Sequence, residues 1–235
     1  MQYDTQYDNI VLVTASRAPR NTLTRDRVIT GALELADAHG LDALTIRALA
    51  QHLSVRPMSI YHYVATKDEL LDALVDAVFS ELYMPVVTAD WRSELVIRAE
   101  SVRTTLARHP WALVVMETRA QPGPANLAAH EAVLELLHVA GFSVEAAGHA
   151  YAILDAFIYG FALQDSMLRT VELNTSAEEL RDGMDLSQHP RLAAMAAHFV
   201  EAETYPIDIS FNLGLTLALD GIARLHDGSD GRGSA

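Results

Sequence analysis

The chain has 235 residues, half of them hydrophobic, no cysteine and a net charge of −14 at pH 7. This length is sufficient to bury a sizeable core, as one large domain or as a small domain joined to a larger one. The absence of cysteine excludes a disulfide framework, a zinc-thiolate site and a cysteine nucleophile. No apolar run approaches the roughly 20 residues that a membrane span requires, and the start lacks a basic leader, so we expect a cytoplasmic protein without membrane contact.

The negative charge is unevenly distributed along the chain. Residues 17–67 contain seven basic and four acidic side chains, whereas residues 68–235 contain ten basic and twenty-five acidic ones. Because binding to DNA phosphates depends on Lys and Arg, the net charge alone argues against nucleic acid. A slightly cationic segment on an anionic body is instead typical of a protein in which only that segment approaches DNA, although chance clustering gives the same pattern.

Apolar residues recur at helical spacing between Pro and Gly interruptions, with almost no alternating β pattern, which predicts an all-α fold. We expect a mobile arm over 1–22 and a disordered tail over 228–235, because both ends are polar. Between them, the pattern predicts a small domain over 23–67, a connecting helix over 67–83 and a larger helical domain over 84–227.

The small domain carries clear signals for where its helices begin and end. Three threonines suit the N-cap position: Thr24, Thr45 and Thr66. Gly40 suits the end of the first helix, and Pro57 suits the first turn of the third, where its missing N–H has no helical partner. Glu69 lies three residues after Thr66, a spacing that predicts a capping box.

The segment from Ile46 to Ala65 has the spacing of a helix-turn-helix, with the small residue Ala50 where two short helices cross. Ser54 stands where many such motifs have glycine, and a left-handed conformation there costs on the order of 1 kcal/mol. The second helix is predicted to project its polar residues away from the core and to fit the major groove of DNA. A helical corner that does not bind DNA is the alternative.

Two long apolar stretches in the larger domain, Ser143–Leu168 and Ile207–His226, have helical periodicity. Each is apolar over a wide face and includes small residues that permit close helix approach, such as Ala156 and Ala218. In a chain this acidic, such a face favours burial against a second subunit. An ordinary core helix is the alternative.

The run LTRDRVITGALELADAHGLDALTIRALAQHLSVRPMSIYHYVATKDELLDAL resembles the N-terminal domain of TetR-family transcriptional repressors. The segments HPWALVVMETR, AGFSVEAA and the helix ending FALQD resemble the tetracycline-repressor type of C-terminal domain. The resemblance implies a small helix-turn-helix domain joined to a larger helical domain for ligand binding and dimerisation. It further implies a homodimer that binds a near-palindromic operator in double-stranded DNA and is released by a small-molecule inducer.

The resemblance also implies roles for individual residues of the small domain. Side chains expected to contact phosphates or to position the unit are Thr45, Arg47, Tyr61 and Lys67. Side chains expected to face the bases are Arg47, Pro57, Met58, Ser59, His62 and Tyr63. Hydroxyl and ammonium groups are good phosphate donors, and Pro and Met can pack on a thymine methyl, so the residue types agree with these roles.

By the same resemblance, a ligand cavity in the larger domain would be lined by Tyr83, Arg98, Val102, Trp111, Val115, Thr118, Val133, Phe157, Phe161 and Gln164. Each of these side chains could equally belong to an ordinary core. The aromatic residues favour an apolar or aromatic ligand, and Arg98 would favour a carboxylate, a phenolate or a similar acceptor on it.

The sequence favours neither a metal site, nor a cofactor, nor an enzyme. Glu135 and His138 form one Glu-x-x-His pair, but a di-iron bundle site needs a second pair. The tetracycline repressor binds a magnesium-bound drug through a His and a Glu, and the corresponding positions are Val115 and Gln164, so we expect a metal-free inducer. No phosphate loop, nucleophile elbow or zinc helix is present. The alternatives are a regulator controlled by a protein partner, and a helical enzyme or small-molecule carrier in which the helix-turn-helix is only scaffold.

Overall fold

The computed structural model describes residues 23–88, 90–116, 118, 121–172, 185–201 and 207–229. Within this described part, the regular elements are helices and no strand occurs. They are α1 (Arg25–His39), α2 (Ile46–His52), α3 (Pro57–Ile60), α4 (Lys67–Ser80), α5 (Trp91–Arg108), α6 (Ala112–Met116), α7 (Pro124–Val139), α8 (Val144–Glu172), α9 (Pro190–Glu201) and α10 (Ile207–Ser229), with a 3₁₀ turn at Leu41–Ala43. The predicted all-α fold is confirmed.

The predicted ends of the chain lie largely outside the described residues. The arm over 1–22 falls outside them entirely, as does most of the tail. The prediction of a tail beginning at residue 228 is wrong by two residues, because α10 continues through Ser229. Helix α8 likewise extends past the predicted end at Leu168 to Glu172, since no Pro or Gly interrupts the helix there.

All three predicted threonine caps form. The hydroxyl of Thr24 accepts from the backbone N–H of Arg27 at 3.2 Å, that of Thr45 from Ala48 at 3.1 Å, and that of Thr66 from Glu69 at 3.0 Å. The Glu69 carboxylate accepts from the N–H of Ala65 at 2.7 Å, so the reciprocal bond of the capping box falls one residue before the N-cap. These caps fix where α1, α2 and α4 begin.

The small domain is held by close contact between α1, α2 and α3. A Cβ at Gly31 would lie 2.7 Å from Leu53 Cδ2, so a larger residue where α1 meets the end of α2 would make the Leu53 side chain shift. Leu49 and Ile60 are fully buried between the helices. Ser54 has φ 57°, which confirms the predicted left-handed conformation between α2 and α3.

In the larger domain, α8 packs against α5, α7 and α10. The rings of Phe157 and Phe161 on α8 each lie 5.5 Å from that of Phe211 on α10. Val144–Met167 is long and apolar enough to cross a membrane by length and composition, a test that core helices of soluble proteins also pass. Here one side of this helix belongs to the protein core.

Candidate DNA-binding surface and ligand cavity

The residues expected to contact DNA lie at the start of α2, on α3 and the turn after it, and at the start of α4. Met58 is 71% exposed and Tyr61 46% exposed, although both are large side chains that normally favour burial. Ser59 is half-buried. The five other exposed residues of the set are Thr45, Arg47, Pro57, His62 and Lys67. Because α3 ends at Ile60, Tyr61 and His62 belong to the following turn.

Tyr63 differs from its expected role at the bases. Its ring packs against the buried core, and its hydroxyl donates to the backbone carbonyl of Leu23 at 2.6 Å. The turn after α3 is thereby fastened to Leu23, which lies two residues before the start of α1. The polar atom of Tyr63 is therefore bound within the protein.

Sequence reasoning missed Arg56, which is exposed and stands at the N-cap of α3. In the described part of the chain, no carboxylate pairs with Arg47, Arg56 or Lys67. Unpaired exposed cations are free to neutralise phosphates. The signal for Arg56 was its place directly before Pro57 in a segment rich in Arg.

Helix α4 joins the small domain to the larger one and is fastened at its middle. Asp76 accepts from the backbone N–H groups of Ala125 at 2.8 Å and Asn126 at 3.0 Å, and so caps the start of α7. A Cβ at Gly123 would overlap the Asp76 carboxylate, which explains the glycine at this close approach. The carboxylate therefore couples the position of α4 to that of α7.

A second polar junction links α1 to the larger domain. Asp37 accepts from Trp111 Nε1 at 2.7 Å and lies 2.7 Å from His109 Nδ1. The other ring nitrogen of His109 lies 3.2 Å from a Glu81 oxygen, which Arg108 also approaches at 2.9 Å.

Trp111 was expected in the ligand cavity, and in the structure its side chain lies at the junction with α1. Its indole N–H faces Asp37 on α1 and the side chain is buried at the domain junction. The indole needs a hydrogen-bond partner when buried, and α1 supplies it across the junction. Sequence spacing gave no signal for this contact, because the two residues lie 74 positions apart.

The larger domain contains a cavity of about 300 Å³ between α4, α6, α7 and α8. Its lining residues are Asp72, Val75, Phe79, Leu113, Met116, Gln121, Pro122, Gly123, Asn126, His130, Asp155 and Tyr159. An adjoining space of about 20 Å³ is lined by Leu95, Arg98, Val102, Val133, Tyr151, Leu154, Asp155 and Ile158. Asp155 lines both.

Three of the predicted lining residues, Arg98, Val102 and Val133, line the smaller space, and none lines the larger cavity. Phe157 and Phe161 pack towards α10 on a different side of α8, and Gln164 is exposed. Among the others, Val115 is buried in the core, Thr118 is exposed, and the Tyr83 hydroxyl donates to Glu94 at 2.9 Å. Because α8 is apolar over a wide face, its periodicity alone does not tell which side borders the cavity.

The polar lining of the cavity was missed at the sequence level. Tyr151, Asp155 and Tyr159 recur every four residues along α8 and therefore share one side of the helix. This polar stripe within an apolar helix was the available signal. His130 on α7 completes the group, with its ring 5.1 Å from that of Tyr151 and 5.8 Å from that of Phe79.

Burial dominates the electrostatics of these groups. It raises the pKa of the Asp155 carboxyl, lowers the pKa of His130 and lowers the pKa of Arg98. It also raises the pKa of Tyr151, an effect that the Asp155 carboxylate reinforces. In the described residues, the buried atom Asn126 Oδ1 has no hydrogen-bond partner. No group of three or more potential metal-ligating side chains occurs in that part of the chain.

The structure combines a helix-turn-helix that has an exposed polar surface with a helical domain that contains a cavity, and one helix joins the two. This arrangement is typical of DNA-binding regulators. The sequence matches the family described as "Bacterial regulatory proteins, tetR family" over residues 28–74. Residues 84–225 match "Tetracyclin repressor-like, C-terminal domain". The chain belongs to the TetR family of transcriptional regulators, and it is a DNA-binding regulator, not an enzyme.

Individual relatives agree over nearly the whole chain. The chain is 31% identical to the transcriptional repressor DrrR1 of Streptomyces coeruleorubidus, over 88% of this chain and 80% of the relative. It is 30% identical to the class G tetracycline repressor of Vibrio anguillarum, over 87% of this chain and 95% of the relative. Among solved structures, ActR of Streptomyces coelicolor in complex with actinorhodin has a TM-score of 0.72 and 28% identity, over 87% of this chain and 99% of ActR.

Proposed function

We propose that the protein is a homodimeric repressor that binds the two halves of a near-palindromic operator in the cytoplasm and is released by a small molecule. The observation that carries this proposal is the exposed set around α3, where Met58 and Tyr61 face solvent beside unpaired cations. Such side chains have no role in the core of the small domain. Contact with DNA gives these exposed side chains a role, since base edges and phosphates bind these residue types.

The proposed division of labour follows the position of each side chain. Thr45, Arg47, Tyr61 and Lys67 bind phosphates and set the register on the duplex. Arg47, Pro57, Met58, Ser59 and His62 contact base edges, with Arg56 as an additional cation at the N-cap of α3. Tyr63 holds the turn in place through Leu23.

The dimer would form through the outer faces of α8 and α10. Large apolar side chains are exposed on both helices in one subunit, among them Ile153, Leu163, Met167, Ile209, Leu213 and Leu217. A Cβ added at Gly160 or Gly221 would meet no other atom within 4 Å, so room is left for another helix. Burying this surface against a second copy places two small domains so that each meets the major groove, roughly 34 to 36 Å apart.

Release of DNA would begin at the cavity. Helix α4 contributes Asp72, Val75 and Phe79 to the lining and begins at Lys67 in the small domain. A ligand that favours another position of α4 would change the separation of the two small domains and weaken operator binding. The complex of ActR with actinorhodin supports a small-molecule ligand for this chain. We propose a metal-free inducer, for which a chelator leaves release unchanged.

Selection from a random DNA library tests the function directly. The expected product is an inverted repeat, and the logarithm of its affinity should fall steeply with the logarithm of salt concentration. Arg191→Ala, which removes an exposed arginine of α9, serves as the matched control for Arg47→Ala. Enrichment of no common sequence, or binding unaffected by salt, would contradict the proposal.

A further inference from the structure

Four arginines lie in the described part of the small domain, and their side chains differ in what they contact. Arg27 Nη2 donates to the backbone carbonyl of Leu53 at 3.3 Å, so this side chain belongs to the packing of α1 against the end of α2. Arg25 and Arg47 are exposed in the first turns of α1 and α2. Arg56 is exposed as well, and of the four it alone adjoins α3.

The backbone of Arg56 is fixed, whereas its side chain is available. The residue is extended, with φ −79° and ψ 142°, as the following Pro57 favours, and its carbonyl accepts from the N–H of Ser59 at 2.9 Å. Its side chain makes no capping hydrogen bond. Among the described residues, no hydrogen bond or ion pair engages the guanidinium. Its five N–H donors are therefore free to bind a partner outside the chain.

The two residues after Arg56 are apolar and face solvent. Met58 is 71% exposed, and Pro57 is exposed beside it. A phosphate offers a methionine no apolar contact, whereas the methyl group of thymine in the major groove does. The position of Met58 therefore indicates that this end of α3 meets base edges, and Arg56 shares that end.

Among the bases, guanine is the best match for an arginine at this end of the helix. Guanine presents two acceptors in the major groove, N7 and O6, and one guanidinium can donate to both. Adenine presents a donor in place of the second acceptor, and neither cytosine nor thymine presents such a pair. The chemistry of the free guanidinium thus selects guanine.

We infer that Arg56 donates to N7 and O6 of a guanine in each half of the operator and that Met58 packs on the methyl group of a neighbouring thymine. This inference rests on the proposed function, because it names the bases that the same surface recognises. Each half-site should then contain a guanine beside a thymine, on the same strand or on the opposite one. Arg56 becomes a residue that determines operator specificity.

Base analogues in the selected inverted repeat test the guanine contact. The guanines of one half-site are replaced one at a time by 7-deazaguanine, which lacks N7, and the affinity of the full chain is measured at one salt concentration. At one of these guanines we expect a loss of at least about fivefold, as one hydrogen bond to a charged group allows. Hypoxanthine at the same position keeps N7 and O6 and should bind within about twofold of guanine.

Variants link this guanine to the named side chain. In Arg56→Ala, guanine and 7-deazaguanine should bind equally at this position, and any sensitivity at other guanines should remain. Arg56→Gln should shift the preference there towards adenine, whose N6 and N7 match an amide, and it remains informative if Arg56→Ala unfolds. Arg25→Ala removes an exposed arginine of α1 and is the matched control. It should leave every ratio of guanine to 7-deazaguanine binding unchanged.

The methyl contact has its own analogue. Uracil in place of the neighbouring thymine removes only the methyl group and should weaken binding of the natural chain by about threefold. Met58→Ala should bind the thymine and uracil sites equally. Met84→Ala, which changes an exposed methionine between α4 and α5, is the matched control. Equal binding of the two sites by the natural chain would overturn the Met58 contact.

The outcome for the guanine contact separates this inference from the proposed function. If 7-deazaguanine costs Arg56→Ala as much as the natural chain at every guanine, the inference is overturned, because Arg56 then contacts phosphates only. A guanine preference retained in Arg56→Gln would overturn it as well. In both cases, specific binding to an inverted repeat leaves the proposed function standing. If the natural chain selects no common sequence, the proposed function and the inference both fail.

Discussion

At the scale of single residues, the turn between α2 and α3 depends on one strained position. Ser54 has φ 57°, and the N–H of Val55 donates to the carbonyl of Ala50 at 2.9 Å to close the turn. Ser54→Gly should raise the free energy of unfolding by up to about 1 kcal/mol, because glycine avoids the Cβ clash but loses more chain entropy. Urea denaturation of this variant and of Ser54→Ala measures the effect. An equal gain from Ala would contradict the strain argument.

Tyr63 and His62 are neighbours with opposite expected roles. Tyr63→Phe removes the bond to Leu23 and should lower the free energy of unfolding by about 1 kcal/mol while leaving base preference unchanged. His62→Ala should alter base preference with little effect on stability. Lys67→Ala should weaken binding to all DNA sequences about equally. It should also reduce the slope of the logarithm of affinity against the logarithm of salt concentration by about 1. Gel shifts on a panel of operator variants separate the three outcomes, and altered base preference in Tyr63→Phe would contradict this assignment.

At the scale of elements, α4 is the part that could transmit a change from the cavity to the small domain. It lines the cavity, caps α7 through Asp76 and ends beside Glu81, which meets His109. Asp76→Ala should raise the ligand concentration that releases operator DNA, because α4 and α7 no longer move together. Asp76→Asn keeps an acceptor for the two N–H groups and serves as the control. Equal release curves for both variants and the natural chain would contradict this role of α4.

Local signals determined which elements could be predicted from the sequence. Thr24, Thr45 and Thr66 act within one helical turn, so the starts of α1, α2 and α4 were predictable. The cavity lining depends on which side of a long apolar helix faces which neighbour, and this is set by contacts distant in sequence. Phe157 and Phe161, predicted to line the cavity, pack towards Phe211 of α10. The junction of Asp37 with Trp111 was hidden for the same reason.

At the scale of the whole molecule, binding to both halves of an operator requires a dimer. Ala156→Glu and Leu217→Glu place a charge on the exposed apolar faces of α8 and α10, where burial against a partner would leave it unpaired. Both variants should sediment as monomers or aggregate, and both should lose operator binding. Leu192→Glu, on the exposed side of α9, is the control. An unchanged dimer in both test variants would exclude this interface.

The most direct test of the central claim compares DNA binding with ligand binding in one variant. Arg47→Ala combined with Tyr61→Ala removes two exposed groups of the small domain and leaves the cavity intact. We expect this protein to lose operator affinity by at least about tenfold while its calorimetric affinity for a small molecule that releases the natural chain from DNA stays unchanged. Operator affinity equal to that of the natural chain, measured at the same salt concentration, would contradict the claim that this surface binds DNA.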